Sequence, residues 1–260
     1  MTSTAAPSLY DHPRYYDAVF GTTSKIESAF LIECFQLYAK REVKRVFEPA
    51  TGSGRLLVEL AKAGYDVTGC DLSEAAASYG NARLGRLGFP KAIGVFDMTQ
   101  FSLRPRVDAA FNLISSFQHL ASDEAAESHL RSVADSLERG GLYIMGVQLI
   151  PTRGRRSGSE AWTGGRGALR VETDLKTVRL DRKKRLDLCR MVTTVRDGKK
   201  VTVFRENLRF RTYTAEQMLR LLAKVPALQI AVTYDFTYTI AEPIVVDAVT
   251  QDAIFVLRKR

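Results

Sequence analysis

Two glycines and an aspartate further along the chain carry the main chemical signal in this sequence. Gly52 and Gly54 lie within residues 48–55, directly after a short apolar run. Glycines let the backbone turn tightly and approach a ligand closely, which side chains would prevent. Asp71 ends the next apolar run, where a carboxylate can accept hydrogen bonds from both hydroxyls of a ribose. Together these residues predict a site for a nucleoside-containing cofactor.

The same segment lacks two features that phosphate-bearing cofactors require. A dinucleotide fingerprint needs Gly or Ala at the third position of G-x-G-x-x-G, and Leu57 stands there. The sequence also has no Gly-Lys-Ser/Thr element of the kind found in phosphate-binding loops. Glu48 closes the first apolar run, where its carboxylate would repel a pyrophosphate but suits the amino group of a methionine moiety. A nucleoside without phosphates is therefore the better fit.

These residues resemble the class I S-adenosylmethionine-dependent methyltransferases. Residues 48–54 are similar to motif I of that family, with Ala50 at its first glycine position. Residues 69–73 resemble its ribose-binding motif, residues 96–98 its adenine-contacting turn, and residues 137–141 its Leu-x-Pro-Gly-Gly turn with arginine replacing proline. The resemblance covers nearly the whole chain and implies S-adenosylmethionine as the cofactor. The later strands look like those of the small-molecule branch, which includes glycine and amino-sugar N-methyltransferases.

The resemblance implies a role for each residue of the cofactor site. The backbone of residues 50–52 would face the methionine end of the cofactor, with Ser115 nearby, and Asp71 would face the ribose. Leu72 and Met98 would enclose the adenine. The full predicted set of cofactor-binding residues is Tyr16, Glu48, Ala50, Thr51, Gly52, Asp71, Leu72, Asp97, Met98 and Ser115.

Several of the candidate side chains have ordinary structural interpretations that the sequence leaves open. Asp97 would lie near the adenine amine, or it could cap a helix. Tyr16 would close over the cofactor, or it could tether the N-terminal segment to the core, and Glu48 could satisfy nearby backbone donors. His119 follows the fourth predicted strand, where it would be a catalytic base or a packing residue. Trp162 would wall the acceptor pocket or anchor its own segment.

The remaining sequence features predict neither a metal site nor a membrane or secreted protein. The cysteines, Cys34, Cys70 and Cys189, are widely spaced and odd in number, which argues against a disulfide framework and a zinc site. No apolar run approaches the ~18 residues that a membrane helix needs. Residues 1–13 have neither a basic start nor an apolar stretch, so they do not resemble a secretion signal. We therefore expect a cytoplasmic protein.

Alternating helical and strand patterns must position these residues. From residue 25 onward the sequence predicts helices at 25–41, 55–63, 73–87 and 123–137, and strands at 43–47, 65–70, 91–96, 107–114 and 142–150. Such alternation predicts an α/β fold with a parallel sheet covered on both faces. With the family resemblance, the expected fold is a doubly wound, Rossmann-like, seven-stranded and mostly parallel sheet carrying a small antiparallel insertion.

The pattern changes after residue 151. Residues 152–167 are rich in glycine and arginine and predict a loop. Alternating runs at 169–180, 185–195 and 201–213 predict antiparallel strands, with Asp197-Gly198 as a hairpin turn. A helix at 214–224 and strands at 228–234 and 253–257 then follow. The expected divisions are an N-terminal helical cover (1–42), a cofactor-binding core (43–150), an insertion over the acceptor site (151–213) and a completion of the core (214–260).

Charge is unevenly distributed along the chain and bears on the acceptor. The formal net charge is +9 overall, −2 over residues 1–150 and +11 over residues 151–260. Solvated strands explain this excess, and we expect the basic turn at 182–185 to be exposed and dispensable. The alternative is a nucleic-acid methyltransferase that uses the basic half.

No recognisable nucleic-acid module is present, so a nitrogen or oxygen of a small-molecule acceptor is favoured. A second alternative, from another functional class, is a non-catalytic module that binds the cofactor and contacts a partner. The apolar faces of the inserted strands are also a candidate surface for a homodimer.

Overall fold

The structure, a computed structural model, describes residues 8–114 and 116–260, so Ser115 lies outside the described residues. In chain order its helices are α1 (Pro13–Phe20), α2 (Ser24–Tyr38), α3 (Arg55–Lys62), α4 (Glu74–Arg86), α5 (Asp123–Ser136) and α6 (Ala215–Ala223). The strands are β1 (Arg45–Pro49), β2 (Asp66–Asp71), β3 (Ile93–Val95), β4 (Val107–Asn112), β5 (Leu137–Gln148), β6 (Ser159–Arg166), β7 (Leu169–Asp181), β8 (Leu186–Asp197), β9 (Lys200–Arg211), β10 (Leu228–Tyr234) and β11 (Asp252–Lys259).

A seven-stranded sheet forms the centre of the molecule, with strand order β10-β11-β5-β4-β1-β2-β3. Strands β1 to β5 pair in parallel, whereas β11 pairs antiparallel with both β5 and β10. The predicted fold class is therefore confirmed. Strand order reverses between β1 and β4, and in such sheets ligands bind beyond the carboxyl ends of the strands at this point.

Helices cover both faces of this sheet, as the sequence predicts. On one face, residues of α2 and α3 such as Phe30 and Leu56 pack with Phe111 of β4. On the other face, Leu130 of α5 packs among residues that include Tyr143 of β5. The buried stripe of each helix faces the sheet because its apolar residues recur with helical period. No helix in the described part of the chain is long and apolar enough to span a membrane.

The insertion is a four-stranded antiparallel sheet, and one of its strands was not expected. The order is β6-β7-β8-β9, with Gly198 at φ +60° in the β8–β9 hairpin, as predicted. The loop expected at 152–167 is wrong over β6, whose residues pair with β7 from Ser159 opposite Lys176 onward. Strand propensity missed β6 because glycine is depleted in strands. The hydrogen bonds between strands are made by the backbone and need no side chain. Gly164 is required here, since a Cβ would lie 1.9 Å from the Ala18 carbonyl oxygen of the helix that crosses it.

The N-terminal segment contacts both the core and the inserted sheet. In α1, Asp17 accepts hydrogen bonds from the Arg83 guanidinium of α4 at 2.5 Å and from the Ser53 hydroxyl of the glycine turn at 3.0 Å. Before α1, the Leu9 amide and the Ser8 hydroxyl donate to Glu206 of β9 at 2.8 Å and 2.5 Å. The segment therefore links the turn after β1 to the inserted sheet.

A buried histidine beneath the sheet gives stability a pH dependence. The His129 ring nitrogens hydrogen-bond the Met98 carbonyl (2.8 Å) and the Tyr143 hydroxyl (2.7 Å), and burial lowers the pKa of His129 to about 4. Between that value and the ordinary 6.5, only the unfolded chain gains the proton. Stability is therefore full above pH 6.5 and falls as the pH approaches 4.

We expect the wild type to lose about 2 kcal/mol between pH 7 and pH 5 through this group, at about 1.4 kcal/mol per pH unit. The His129→Gln variant should be less stable at pH 7 but should lack this loss. Urea unfolding at both pH values measures the difference. A variant that loses as much stability as the wild type would assign the acid sensitivity to other groups.

The basic turn at 182–185 is exposed over its first three residues, as the sequence predicts, whereas Arg185 is half-buried. Arg185, at φ +56°, binds both carboxylate oxygens of Asp123 at 2.6 and 2.8 Å and lies over the Tyr213 ring. The Arg182 guanidinium reaches the Pro151 carbonyl at 3.4 Å. The expectation fails at Arg185 alone, because a run of like charges does not show that a distant acid at the start of α5 pairs with one of them.

We expect Arg185→Ala to lower the free energy of unfolding by about 2 kcal/mol, because it strips a partly buried carboxylate of its bidentate partner. The double variant Lys183→Ala/Lys184→Ala is the matched control, since both side chains are exposed. Its stability should stay within about 0.5 kcal/mol of the wild type. Chemical denaturation of the two variants decides the matter, and equal stabilities would show that the Arg185 contact contributes nothing.

Candidate active site

A cavity of about 450 Å³ lies beyond the carboxyl ends of β1 and β2. That volume is within the range of small-molecule sites. Most of the predicted cofactor-binding residues lie in its wall, namely Tyr16, Ala50, Gly52, Asp71, Leu72 and Met98, and the predicted catalytic residue His119 lines it as well. The structure therefore brings together residues that the sequence places as far apart as 16 and 119.

The turn between β1 and α3 has left-handed backbone at three positions. Gly52 and Gly54 have φ values of +54° and +66°, which explains why glycine is needed at both. The Tyr16 ring lies over the turn, 3.6 Å from where a Cβ of Gly52 would be. Ala50, at φ +53°, is also left-handed, so replacing the family's glycine costs backbone strain of about 1–2 kcal/mol. The sequence alone suggests only a slight loss of space there.

Asp71 is held in place by backbone amides at both carboxylate oxygens. Its Oδ2 accepts from the Gly52 amide at 2.8 Å, and its Oδ1 accepts from the Ser73 amide at 2.9 Å. Each oxygen keeps a further lone pair for a ligand hydroxyl. The carboxylate is thus oriented before a ligand arrives, and it also braces the glycine turn.

Two predicted residues lie beneath the turn and outside the cavity wall. Glu48 is buried and its Oε2 has no hydrogen-bond partner among the described residues, and the same holds for the Thr51 hydroxyl. Burial raises the pKa of Glu48 well above its ordinary value, the nearby Arg55 guanidinium opposes that rise, and the carboxylates of Glu27 and Asp71 add to it. A cation bound nearby would favour the ionised form of Glu48, so the unpartnered acid fits the ammonium-bearing methionine end of S-adenosylmethionine.

The predicted adenine residues divide into two groups. Leu72 and Met98 line the cavity, and the Met98 carbonyl is fixed by His129. Asp97 is exposed and its carboxylate accepts from the Thr99 amide at 2.7 Å, so it caps a turn after β3 and not the helix that the sequence offered as an alternative. Its contact with the adenine stays a prediction. Ser115 lies outside the described residues, whereas the adjacent Ser116 lines the cavity.

A second cavity of about 490 Å³ adjoins the first. It is enclosed by the N-terminal segment, the inner face of the inserted sheet and the aromatic residues Phe236 and Tyr238 after β10. The two cavities share the wall residues Tyr10, Tyr16, Ser116, His119 and Leu208. Ligands in the two cavities would therefore meet at this shared wall.

His119 lies in the shared wall and is held there by packing. Its ring contacts Tyr10 and Phe210 edge-on, with ring centroids 5.9 and 5.0 Å away. Its exposed surface faces the cavities, yet the surrounding protein removes enough water to lower the pKa of His119 below 6.5. The imidazole is therefore neutral at pH 7 and able to accept a proton.

The second cavity contains residues that the sequence analysis did not single out. Strand β8 contributes Asp187, Cys189 and Met191, which alternate along one face of the strand. That alternation was the available signal, but it does not show which face borders a cavity. Trp162, on β6, lines the cavity and packs against Phe20 with ring centroids 5.4 Å apart, so it anchors its own segment. Its role as a wall of the acceptor pocket stays a prediction.

The remaining candidates for chemistry in the described residues are metal-ligating groups and cysteine thiols. Among residues 8–114 and 116–260, no group of three or more His, Cys, Asp and Glu side chains could hold a metal ion. Cys34, Cys70 and Cys189 are buried free thiols, and burial raises the pKa of Cys70 to about 12. These thiols are therefore protonated and unreactive at neutral pH.

Comparison with known proteins bears on the identity of this site. Residues 46–141, which include the glycine turn and Asp71, match the family described as Methyltransferase domain. No curated protein matches the chain by sequence.

The fold is shared with solved methyltransferases over nearly the whole chain. An S-adenosylmethionine-dependent methyltransferase from Clostridium acetobutylicum has a TM-score of 0.77 at 19% identity, covering 97% of this chain and 99% of its own. DesVI of Streptomyces venezuelae gives 0.75 at 18%, covering 96% and 99%. The sugar N-methyltransferase KedS8 from Streptoalloteichus gives 0.73 at 16%, covering 100% and 96%. Residues 46–141 therefore match a methyltransferase domain, and the chain shares the fold of solved S-adenosylmethionine-dependent methyltransferases.

Proposed function

We propose that this chain transfers a methyl group from S-adenosylmethionine to a nitrogen or oxygen atom of a small-molecule acceptor. One observation carries the proposal: the cavity behind the glycine turn adjoins a second cavity of about 490 Å³ through the wall that contains His119. A methyl transfer needs two ligands in contact, and adjoining cavities of these sizes hold two small molecules.

Residues of this chain would hold the cofactor in the first cavity. When bound, S-adenosylmethionine supplies a methyl group already activated on a sulfonium. Asp71 is oriented to accept the ribose hydroxyls, Leu72 and Met98 would flank the adenine, and the buried carboxyl of Glu48 favours the cationic methionine end. The backbone of residues 50–52 allows the close approach that the methionine end requires.

The protein's contribution to the reaction is alignment and exclusion of water. In well-oriented intramolecular reactions, alignment lowers the barrier by about 7–11 kcal/mol. The N-terminal segment, fixed to Ser53 by Asp17 and to β9 by Glu206, closes both cavities from one side. His119 would accept a proton from an acceptor that arrives protonated.

The charge distribution of the insertion favours a small molecule over nucleic acid. The lining residues Leu175, Met191 and Leu208 occupy one face of the inserted sheet. Strand alternation places six exposed basic side chains on the opposite face. These six side chains are Arg170, Lys176, Arg190, Arg196, Arg205 and Arg209. They do not lead to the shared wall, as a nucleic-acid track would.

The predicted homodimer stays a prediction. The apolar inner face of the inserted sheet, which the sequence offers for it, lines the second cavity, so a contact through this sheet would use the basic outer face. An isologous contact through the outer face would bring the basic side chains of two copies together. We therefore infer that such a dimer would strengthen as added salt screens the repulsion between them. Light scattering at low and high salt tests this, and a dimer that weakens with salt would contradict it. The cytoplasmic location likewise stays a prediction from the sequence.

Titration calorimetry followed by a turnover assay tests the proposed function. We expect measurable affinity for S-adenosylmethionine and for its demethylated product, without comparable affinity for NAD. Incubation with isotopically methyl-labelled cofactor and a panel of small amines and alcohols should then give a labelled product. NAD binding without binding of the S-adenosyl ligands would overturn the proposal, and cofactor binding without turnover on any acceptor would favour a non-catalytic module.

A further inference from the structure

A polar cluster in the second cavity is incompletely satisfied. Asp187 is only 2% exposed, and its Oδ2 accepts hydrogen bonds from the Arg156 guanidinium and from the Thr177 hydroxyl at 3.1 Å. Arg156 also donates to the Thr177 hydroxyl at 3.1 Å. The Asp187 Oδ1 has no hydrogen-bond partner among the described residues, although Asp187 lines the cavity. An unpaired buried carboxylate oxygen is costly, so it is the natural partner for a donor on a ligand.

The cluster lies away from the wall that the two cavities share. Asp187 on β8 is directly opposite Phe210 on β9, and the Phe210 ring lies 5.0 Å from His119. Neighbouring strands are about 4.8 Å apart, so Asp187 lies one strand further from His119 than Phe210 does, at a distance on the order of 5–10 Å. The apolar residues Cys189 and Met191 follow Asp187 along the same face of β8. Phe210 is the neighbour that His119 and Asp187 share, so a ligand that reaches from one to the other needs an apolar middle and a polar far end.

The charges of the cluster select the kind of polar group. The Arg156 guanidinium offsets the Asp187 carboxylate, so the cluster as a whole is neutral. A ligand ammonium would be repelled by the guanidinium, and a ligand carboxylate would be repelled by the unpaired oxygen of Asp187. A hydroxyl avoids both conflicts, because it donates to Oδ1 and accepts from the N–H groups of Arg156 that remain free.

We propose that Asp187, oriented by Arg156 and Thr177, binds a hydroxyl group of the acceptor at the end remote from the methyl-accepting atom. This inference rests on the proposed function, because it takes the second cavity as the acceptor site. It adds that the acceptor is an elongated molecule whose hydroxyl lies on the order of 5–10 Å from His119 at the shared wall.

Matched pairs of simple probes test this subsite. The probes are straight-chain amino alcohols of four to eight carbons, each compared with the n-alkylamine of the same length. Their affinities are measured by ligand-observed NMR on protein saturated with the demethylated cofactor. We expect the amino alcohols whose chain spans from His119 to Asp187 to bind about tenfold more tightly than the matched alkylamines. One hydrogen bond to a charged acceptor provides a difference of this size.

Variants separate the subsite from general effects. Asp187→Leu keeps the approximate volume but removes the acceptor oxygen, so the tenfold preference should disappear. Asp187→Asn keeps one acceptor oxygen and should retain part of the preference. Asp174→Leu is the matched control, since Asp174 lies on the exposed outer face of β7, and its preference should equal that of the wild type. Thermal melts of every variant establish that each one is folded.

Each outcome bears on the proposal. Equal binding of the two probe series to the wild type, failure of every probe to bind, or a preference that survives in folded Asp187→Leu would overturn the subsite. Calorimetry with S-adenosylmethionine on the same samples separates the two levels of inference. Normal cofactor affinity with no hydroxyl preference would reject the subsite alone, whereas absent cofactor affinity would reject the proposed function.

Discussion

Replacing His119 by glutamine is expected to lower kcat for an acceptor that arrives protonated by about 100-fold to 10,000-fold, the range for loss of a positioned general base. His119 lies in the wall shared by the two cavities, and burial keeps its imidazole neutral at pH 7. The cofactor affinity should change far less than kcat, because the variant leaves the glycine turn and Asp71 in place. Single-turnover rates on the acceptor found by the panel, with calorimetry for the cofactor, measure both quantities.

The pH profile provides a second readout for His119. Because burial lowers the pKa of its imidazole, the wild-type rate should fall only as the pH drops below 6.5, where the base becomes protonated. His119→Gln should lack this acidic limb while retaining any limb due to the acceptor's own amine. A variant with unchanged kcat and an unchanged profile would make His119 a packing residue between Tyr10 and Phe210.

Asp71→Ala is expected to weaken cofactor binding by about 100-fold to 10,000-fold, since two hydrogen bonds to a charged acceptor contribute about 1.5–3 kcal/mol each. Part of the loss should come through the protein itself. Asp71 also accepts the amides of Gly52 and Ser73, so its removal loosens the turn on which the cofactor would lie. Calorimetry with S-adenosylmethionine measures the affinity, and thermal melts report the cost to the fold.

Two further variants make the Asp71 result interpretable. Asp71→Asn keeps an acceptor oxygen for the turn and should lose less affinity than alanine. Asp66→Ala, at the exposed opposite end of β2, is the matched control and should leave the affinity unchanged. Wild-type affinity in a folded Asp71→Ala protein would mean that the ribose is held elsewhere.

Local sequence was sufficient for most of the core. From residue 24 to residue 148 the helices and strands appear close to where hydrophobic periodicity places them, although β5 begins at Leu137, five residues early. Ser73 and Thr214 cap their helices, whereas α1 was not predicted. The glycine turn was predictable too, because a left-handed backbone at Gly52 and Gly54 leaves few alternatives to glycine. Strand β6 was missed, since its glycines have no propensity for strands and its pairing with β7 is the only reason that it is extended.

What the sequence determined by itself is the fold class, the cofactor turn and Asp71, because each depends on residues that interact within one βαβ unit or follow a period. Only the tertiary structure decided the second cavity. It brings His119, Asp187 and Tyr238 together from three separate segments, and no local pattern encodes which of their faces meet. The same reason accounts for Arg185, whose partner Asp123 stands 62 positions away. A side chain expected to be solvated therefore pairs with the start of α5. Contacts between distant segments are set by the packing of whole elements, and a single sequence carries no direct record of that packing.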